Sequence, residues 1–396
     1  MQRAISRRVA QVQPSPTLSI TMRAREMKQQ GIEVIGFGAG EPDFDTPAHI
    51  KWAAAQALAE GETKYPPTNG FPSLREAICE KLRRDNGLTY HPDEVLVCCG
   101  AKHALYNTFQ AILDPGDRVL LPCPYWVSYP EQIQLAGGEA VVLPTQASTG
   151  FKITPEQLAR ALQKHAPVRA LLLNSPSNPT GEVYSREELQ ALAEVLRSYP
   201  EVYLVSDEIY EKILYEGAEH VSLAALGEEF KERTFIINGV SKAYAMTGWR
   251  IGYVAGPGEV IAAMKRLQDH STSGATSIAQ RAAEAALRGD QSCVAEMVAA
   301  FAQRRQYIVE QLNALPGITC RWPAGAFYVF PDVSGLLTPE LPQADALAEA
   351  WLETVHVAVV PGTGFGAPTH VRFSYATSLE NLEKGLERLA KWMEGQ

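Results

Sequence analysis

The stretch TFIINGVSKAYAMTGWRIGYVA, residues 234–255, decides the fold. It opens on an apolar run, Thr234–Asn238, and closes on another, Ile251–Ala255. Neither run alternates strictly between polar and apolar, which is the pattern of strands covered on both faces. Between them come small and polar residues, a lysine (Lys242) and, eight residues on, Arg250. An arginine can clamp a phosphate with two hydrogen bonds, and a lysine of depressed pKa can form a Schiff base with an aldehyde. A lone loop lysine is ordinarily just solvated, so Lys242 acquires meaning only through partners.

Moving outward, the same kind of run recurs at Glu94–Cys99, Arg118–Leu121, Ala140–Leu143, Ala170–Asn174 and Val202–Ser206. Amphipathic segments near 73–85, 102–113, 155–165, 185–197 and 257–268 separate most of them, and Ser73-Leu-Arg-Glu76 reads as a capping box. Repeated strand-then-helix units predict an α/β fold with an open, mostly parallel central sheet flanked by helices. Ligands in such sheets sit beyond the carboxyl ends of the strands. After about residue 285 the character changes. A long helix is expected up to about Leu315, then short strands at Ala326–Phe330, Val355–Val360 and Val371–Tyr375, then a helix over 379–393. The expected division is an N-terminal segment, 1–44, joining a small α+β domain at 286–396, with a large domain at 45–285.

Composition narrows the function classes. Of 396 residues, 46% are hydrophobic and 20% charged, which is ordinary for a globular chain, and no apolar run approaches a membrane span. A net charge of −9 argues against general nucleic-acid binding. The six cysteines form no C-x-x-C pair, so neither a zinc ribbon nor a thioredoxin-like site is expected, and no metal. The first acid is Glu26; this basic N-terminus could mimic a transit peptide but lacks the apolar core of a secretory signal. A cytoplasmic location is expected.

Four further strand ends carry candidate chemistry. In Tyr203-Leu-Val-Ser-Asp-Glu-Ile-Tyr210 an apolar strand runs into Asp207, whose carboxylate could keep a pyridine nitrogen protonated; a helix cap or surface acid is the plainer reading. Asn174-Ser-Pro-Ser-Asn-Pro-Thr-Gly181 is a turn from which Asn178 could reach a ligand. At Cys99-Gly-Ala-Lys-His103 a helix begins directly after a strand and a glycine, offering free N–H groups to a phosphate, although the Walker A spacing is absent. Trp126, in Pro124-Tyr-Trp126, could stack on a planar ring or simply pack in the core.

Together, in this order, these segments resemble a class I pyridoxal-phosphate aminotransferase of fold type I, of the bacterial aspartate aminotransferase kind. The resemblance runs from Gly40-Glu-Pro-Asp-Phe44 to Val371-Arg-Phe-Ser-Tyr375. It implies pyridoxal 5'-phosphate as cofactor, joined to Lys242 as an internal aldimine, with Lys242 then moving the proton between Cα and the cofactor. It implies Asp207 on the pyridine nitrogen, Tyr210 and Asn178 on the phenolic oxygen, and Trp126 on the ring face. The phosphate would lie on Arg250, Ser241 and the backbone at Gly100, Ala101 and Lys102. Tyr65 would reach the phosphate from the partner subunit of a homodimer. Arg372 would bind the substrate α-carboxylate, with Gly40 in the segment closing over it.

The implied reaction is ping-pong transfer from aspartate to 2-oxoglutarate. Lys102 stands in the place of the distal-carboxylate recogniser; the same cation could serve prephenate, and aromatic amino acids or alanine are further alternatives. Thr17 would lie near the entrance. A non-enzymatic ligand sensor is the competing class, disfavoured by the acidic charge and by the lack of residues ahead of the fold for a DNA-binding domain. A Rossmann dehydrogenase is disfavoured because no G-x-G-x-x-G follows a strand.

Overall fold

The structure is a computed structural model that describes residues 5–12 and 16–395. Its centre is a sheet of seven strands: β1 (Val95–Cys98), β2 (Arg118–Cys123), β3 (Glu139–Pro144), β4 (Ala170–Asn174), β5 (Tyr203–Asp207), β6 (Thr234–Gly239) and β7 (Gly252–Ala255). They lie in the order β1-β7-β6-β5-β4-β2-β3. Every neighbouring pair is parallel except the two that involve β7. No helix crosses over between β6 and β7, so the chain turns straight back and β7 must run antiparallel.

The seven strands expected in this sheet are all present, displaced by no more than about two residues at an end, whereas the expected strand Val355–Val360 divides into Val357–Ala358 and Val360–Pro361, which belong to different sheets. β1, β6 and β7 are buried throughout, as unalternating apolar runs require, while β3, at the sheet edge, is half exposed. Helices Pro155–Lys164 and Arg186–Leu196 begin with reciprocal capping boxes at Thr154 and Ser185. The box expected at Ser73 does not form. Pro72 takes the first helical position, which suits its missing N–H, and Phe71 becomes the cap. Ser73 is thereby moved inside the helix, where its hydroxyl donates to Glu284 at 2.7 Å.

Beyond the sheet, the long helix Ser292–Ala314 leads to a small antiparallel sheet of Tyr328–Val329, Val371–Ser374 and Val360–Pro361. Helices Ala344–Val355 and Leu379–Glu394 pack beside it. Ile35–Gly36 pairs in parallel with Val357–Ala358, so the N-terminal segment is stitched to this region. One core cluster joins Ile209, Tyr210 and Ile213 after β5 to Phe301, Phe327 and Trp351, leaving little freedom between the strand end and the small sheet. Among the described residues no helix is long and apolar enough to cross a membrane.

Candidate active site

The carboxyl ends of β1, β2, β4, β5 and β6 open on one cavity of about 310 Å³. Its lining includes Gly40, Ala101, Lys102, Trp126, Asn178, Asp207, Tyr210, Ser241, Lys242, Arg250 and Arg372. Of the residues singled out in the sequence, these eleven come together; Gly100, Tyr65 and Thr17 do not line it. Gly100 stands directly behind Arg250, where its φ of +87° and the crowding guanidinium leave no room for a Cβ. Tyr65 is 96% exposed, away from its own chain's cavity. Thr17 falls in the helix Pro16–Gln29, and its side chain lies outside the described residues.

Lys242 and Arg250 sit on the connection between β6 and β7. Lys242 Nζ donates to the Gly40 carbonyl at 2.6 Å. Burial lowers its pKa to about 8; Arg372 and Arg250 push the same way, against Glu41 and Asp207. Arg250 donates to the Thr247 carbonyl at 2.8 Å and faces the start of helix Ala101–Ile112, whose first N–H groups have no partner inside the helix. At Gly252 a Cβ would collide with the backbone of Gly100 and Ala101, so glycine there lets that helix start close against β7.

Asp207 ends β5. Burial raises its carboxyl to about 6, opposed by hydrogen bonds from the Tyr129 hydroxyl at 2.7 Å and the Ile209 amide at 3.3 Å. The Tyr210 hydroxyl shares a 2.7 Å hydrogen bond with that of Tyr328, and burial pushes the Tyr210 phenol well up, so it stays a neutral donor. Trp126 meets Tyr129 edge-on, with Lys102 Nζ 4.8 Å from its ring centroid.

Arg372 is 2% exposed, so it is not a surface charge at a strand edge. It donates to Asn178 Oδ1 at 2.9 Å and the Gly38 carbonyl at 2.8 Å, while its Nε–H is buried without an acceptor among the described residues. Lys102, Lys242, Arg250 and Arg372 thus surround one cavity, and none forms an ion pair with an acid among the described residues. Such a site is built for a ligand bearing several negative charges.

Comparison with known proteins accounts for that arrangement. The family model for aminotransferase class I and II matches residues 32–389. The chain belongs to this family. It is 54% identical to an aspartate aminotransferase of Geobacillus stearothermophilus, over 99% of each chain. It is 48% identical to an aspartate/prephenate aminotransferase of Nitrosomonas europaea, over 98% of each. The solved aspartate aminotransferase of Thermus thermophilus with maleate superposes with a TM-score of 0.93 at 49% identity, over 98% of this chain and all of that one. The fold is therefore fold type I, and the chain is an aminotransferase that uses pyridoxal 5'-phosphate. The residues present fit that group: a buried amine of lowered pKa, a buried carboxylate, and a phosphate cradle of Arg250, Ser241 and a helix start from which even a Cβ at Gly100 is excluded.

Among the lining residues that escaped the sequence reading are Tyr129, Asn174 and Tyr328. Tyr129 lies three positions after Trp126, which precedes the helix Ser128–Leu135, and its ring meets that indole edge-on. Asn174 stood in a stretch already quoted; its amide donates to the Asp207 carbonyl at 2.9 Å, and its Oδ1 accepts the Asn178 N–H at 2.8 Å. Tyr328 comes from the small sheet, and nothing in a local pattern signals that approach.

Proposed function

We propose that the chain transfers the amino group of aspartate to 2-oxoglutarate in two half-reactions. The observation that carries this reading is the set of four basic side chains around one cavity that holds a single acid, Asp207, with none of the four in an ion pair among the described residues. A cofactor phosphate and a dicarboxylate substrate bring the matching charge. When bound, pyridoxal phosphate supplies an aldehyde that condenses with amines and a ring that accepts the electrons released at Cα.

The protein does the rest. Arg250, Ser241 and the N–H groups at Gly100, Ala101 and Lys102 take the phosphate. Asp207 holds a proton on the pyridine nitrogen, Tyr210 and Asn178 donate to the phenolic oxygen, and Trp126 covers the ring. Arg372 takes the substrate α-carboxylate, a planar contact that arginine makes and lysine does not. Lys242, with a pKa of about 8, is neutral in a useful fraction near neutral pH, so it can remove the Cα proton and return it to the cofactor carbon two atoms away, beyond the shared nitrogen. Gly40 holds the lysine amine through its carbonyl and closes that side of the cavity. Lys102, at the mouth, reads the distal carboxylate.

The name of the Nitrosomonas relative favours one further substrate, prephenate, whose ring carboxylate would use the same Lys102. The exposure of Tyr65 supports a homodimer in which that residue completes the partner's phosphate site. The domain division at residues 44 and 285 and a cytoplasmic location complete the reading. Single-turnover mixing of the yellow holoenzyme with aspartate tests it: the yellow absorbance should disappear and 2-oxoglutarate should restore it. Persistence of the band with aspartate, alongside bleaching by alanine or an aromatic amino acid, would reject the substrate assignment.

A further inference from the structure

The carboxylate that ends β5 is held from a direction no strand-end motif announced. We propose that Tyr129 is a positioning residue for Asp207: its hydroxyl keeps that carboxylate charged and fixed in rotation, ready to hold a proton on the cofactor's ring nitrogen. The inference rests on the role given to Asp207 above.

Geometry carries it. Tyr129 is 1% exposed and lies in the first turn of helix Ser128–Leu135, its amide bonded back to the Trp126 carbonyl at 3.0 Å. Its hydroxyl donates to Asp207 Oδ2 at 2.7 Å, while Oδ1 accepts the Ile209 amide at 3.3 Å. Two donors from different elements, one on each oxygen, fix how the carboxylate is turned. Tyr129 also abuts the edge of Trp126, with ring centroids 5.3 Å apart and planes at 79°. One residue therefore braces both the acid at the ring's nitrogen and the indole on its face.

The electrostatics run the same way. A buried carboxylate drifts toward its neutral form, and donors to the charged form oppose that drift. The charged and titratable groups around Asp207 are Tyr129, Tyr210, Glu208 and Lys242; Tyr129 and Lys242 hold its pKa down, while Glu208 raises it. Burial and the neighbouring Asp207 push the Tyr129 phenol well up, so it remains a donor throughout the working range. A neutral Asp207 has no charge with which to retain a proton on a pyridine nitrogen, so losing the Tyr129 hydroxyl should be felt most where Asp207 is half titrated.

Tyr129→Phe removes one oxygen and keeps the ring. In ligand-free protein labelled with ¹³C-aspartate, and with Asp207→Asn used to assign the signal, Asp207 should titrate about one pH unit higher in Tyr129→Phe. Pyridoxal phosphate should then bind the variant about fivefold more weakly than wild type at pH 6, with the deficit closing by pH 8. In an Asp207→Asn background, Tyr129→Phe should change affinity at neither pH. An unmoved Asp207 titration, a deficit equal at pH 6 and pH 8, or one that persists in Asp207→Asn would overturn the proposal. Pyridoxal phosphate affinity left unchanged by Asp207→Asn alone would instead reject the role of Asp207 itself; the ligand-free titration would still decide whether Tyr129 keeps the carboxylate charged.

Discussion

Asp207 and Glu208 are neighbours in the chain, yet they serve two differently built groups of charges. On the Asp207 side, Lys102, Lys242, Arg250 and Arg372 face a cavity with no acid paired to any of them among the described residues. On the Glu208 side the charges are matched. Glu208 accepts from Ser206 at 2.8 Å and Ser222 at 2.6 Å and meets His220 at 3.0 Å. Glu211 is paired with the ammonium of Lys81, itself only 2% exposed, and accepts from Asn86 at 3.1 Å. Lys212 closes on Asp85 at 2.7 Å. Glu208, Glu211 and His220 bring potential ligand atoms within 4.8 Å of one another, but Lys81 already supplies the cation at this spot. Burial alone marks neither group as functional. What separates them is pairing: among the described residues the acids of one set have found partners within the chain, and the cations of the other have found no acid.

That contrast can be broken from either side. The largest effect is expected at Lys242. Lys242→Ala should cut turnover by at least ~10⁴-fold and leave no cofactor fixed to the chain by borohydride, while thermal stability changes little. In wild type, the rate at which ligand-free protein captures pyridoxal phosphate should rise with pH and level off above about 8, because only the neutral amine reacts. A flat profile would mean that this amine is not the one reacting.

Next comes the matched group. Lys81→Met strands the buried Glu211 charge and should destabilise the fold by about 3–5 kcal/mol in denaturant titrations, with activity per folded molecule kept. Burial would raise Glu211, but Lys81, His220 and Asn86 outweigh it and hold it at about 2. Glu211 therefore stabilises the fold above its unfolded pKa near 4.5, and that contribution fades as pH falls toward 2. The gap between variant and wild type should narrow over that window. A loss of activity without a loss of stability would mean that the two groups are not separate.

The smallest effect is expected at the mouth. Lys102→Ala should lower kcat/KM for aspartate about 10- to 100-fold, or 1.4–2.7 kcal/mol, and spare alanine. An equal loss for both donors would remove the distal-carboxylate role and leave Lys102 as a partner of the Trp126 ring.

The unmatched group was largely legible in the sequence and the matched one was not, for a physical reason. Strand ends concentrate function in this kind of sheet, so Asp207, Asn178, Lys242 and Arg250 could be read from where apolar runs stop. The buried strands were equally visible because burial on both faces writes an unbroken apolar run, whereas the half-exposed edge strand β3 showed only as the short run Ala140–Leu143. Lys81 sits mid-helix amid Cys-Glu-Lys-Leu-Arg-Arg and looks like any solvated lysine; only the fold, 130 positions further on, sets Glu211 against it. Tyr328 and Arg372 reach the cavity from the small sheet, so in sequence terms the role of Arg372 rested on resemblance alone and Tyr328 was not read at all. The false capping box at Ser73 shows the limit of local rules, since a proline one position earlier moved the helix start.

The direct return from β6 to β7 has one more consequence. The Lys242 amine and the Arg250 guanidinium ride on a single short span of chain pinned at both ends, where Gly239 lies opposite Gly252. The distance between the two groups proposed to hold the cofactor is thus set by a covalent gauge rather than by the docking of separate parts. The other side chains of the cavity come from elsewhere: Lys102 and Trp126 from other strand ends, Tyr328 and Arg372 from the small sheet. Evolution could therefore alter which amino acid is read, by editing the mouth and the small sheet, without having to solve the cofactor's fit again.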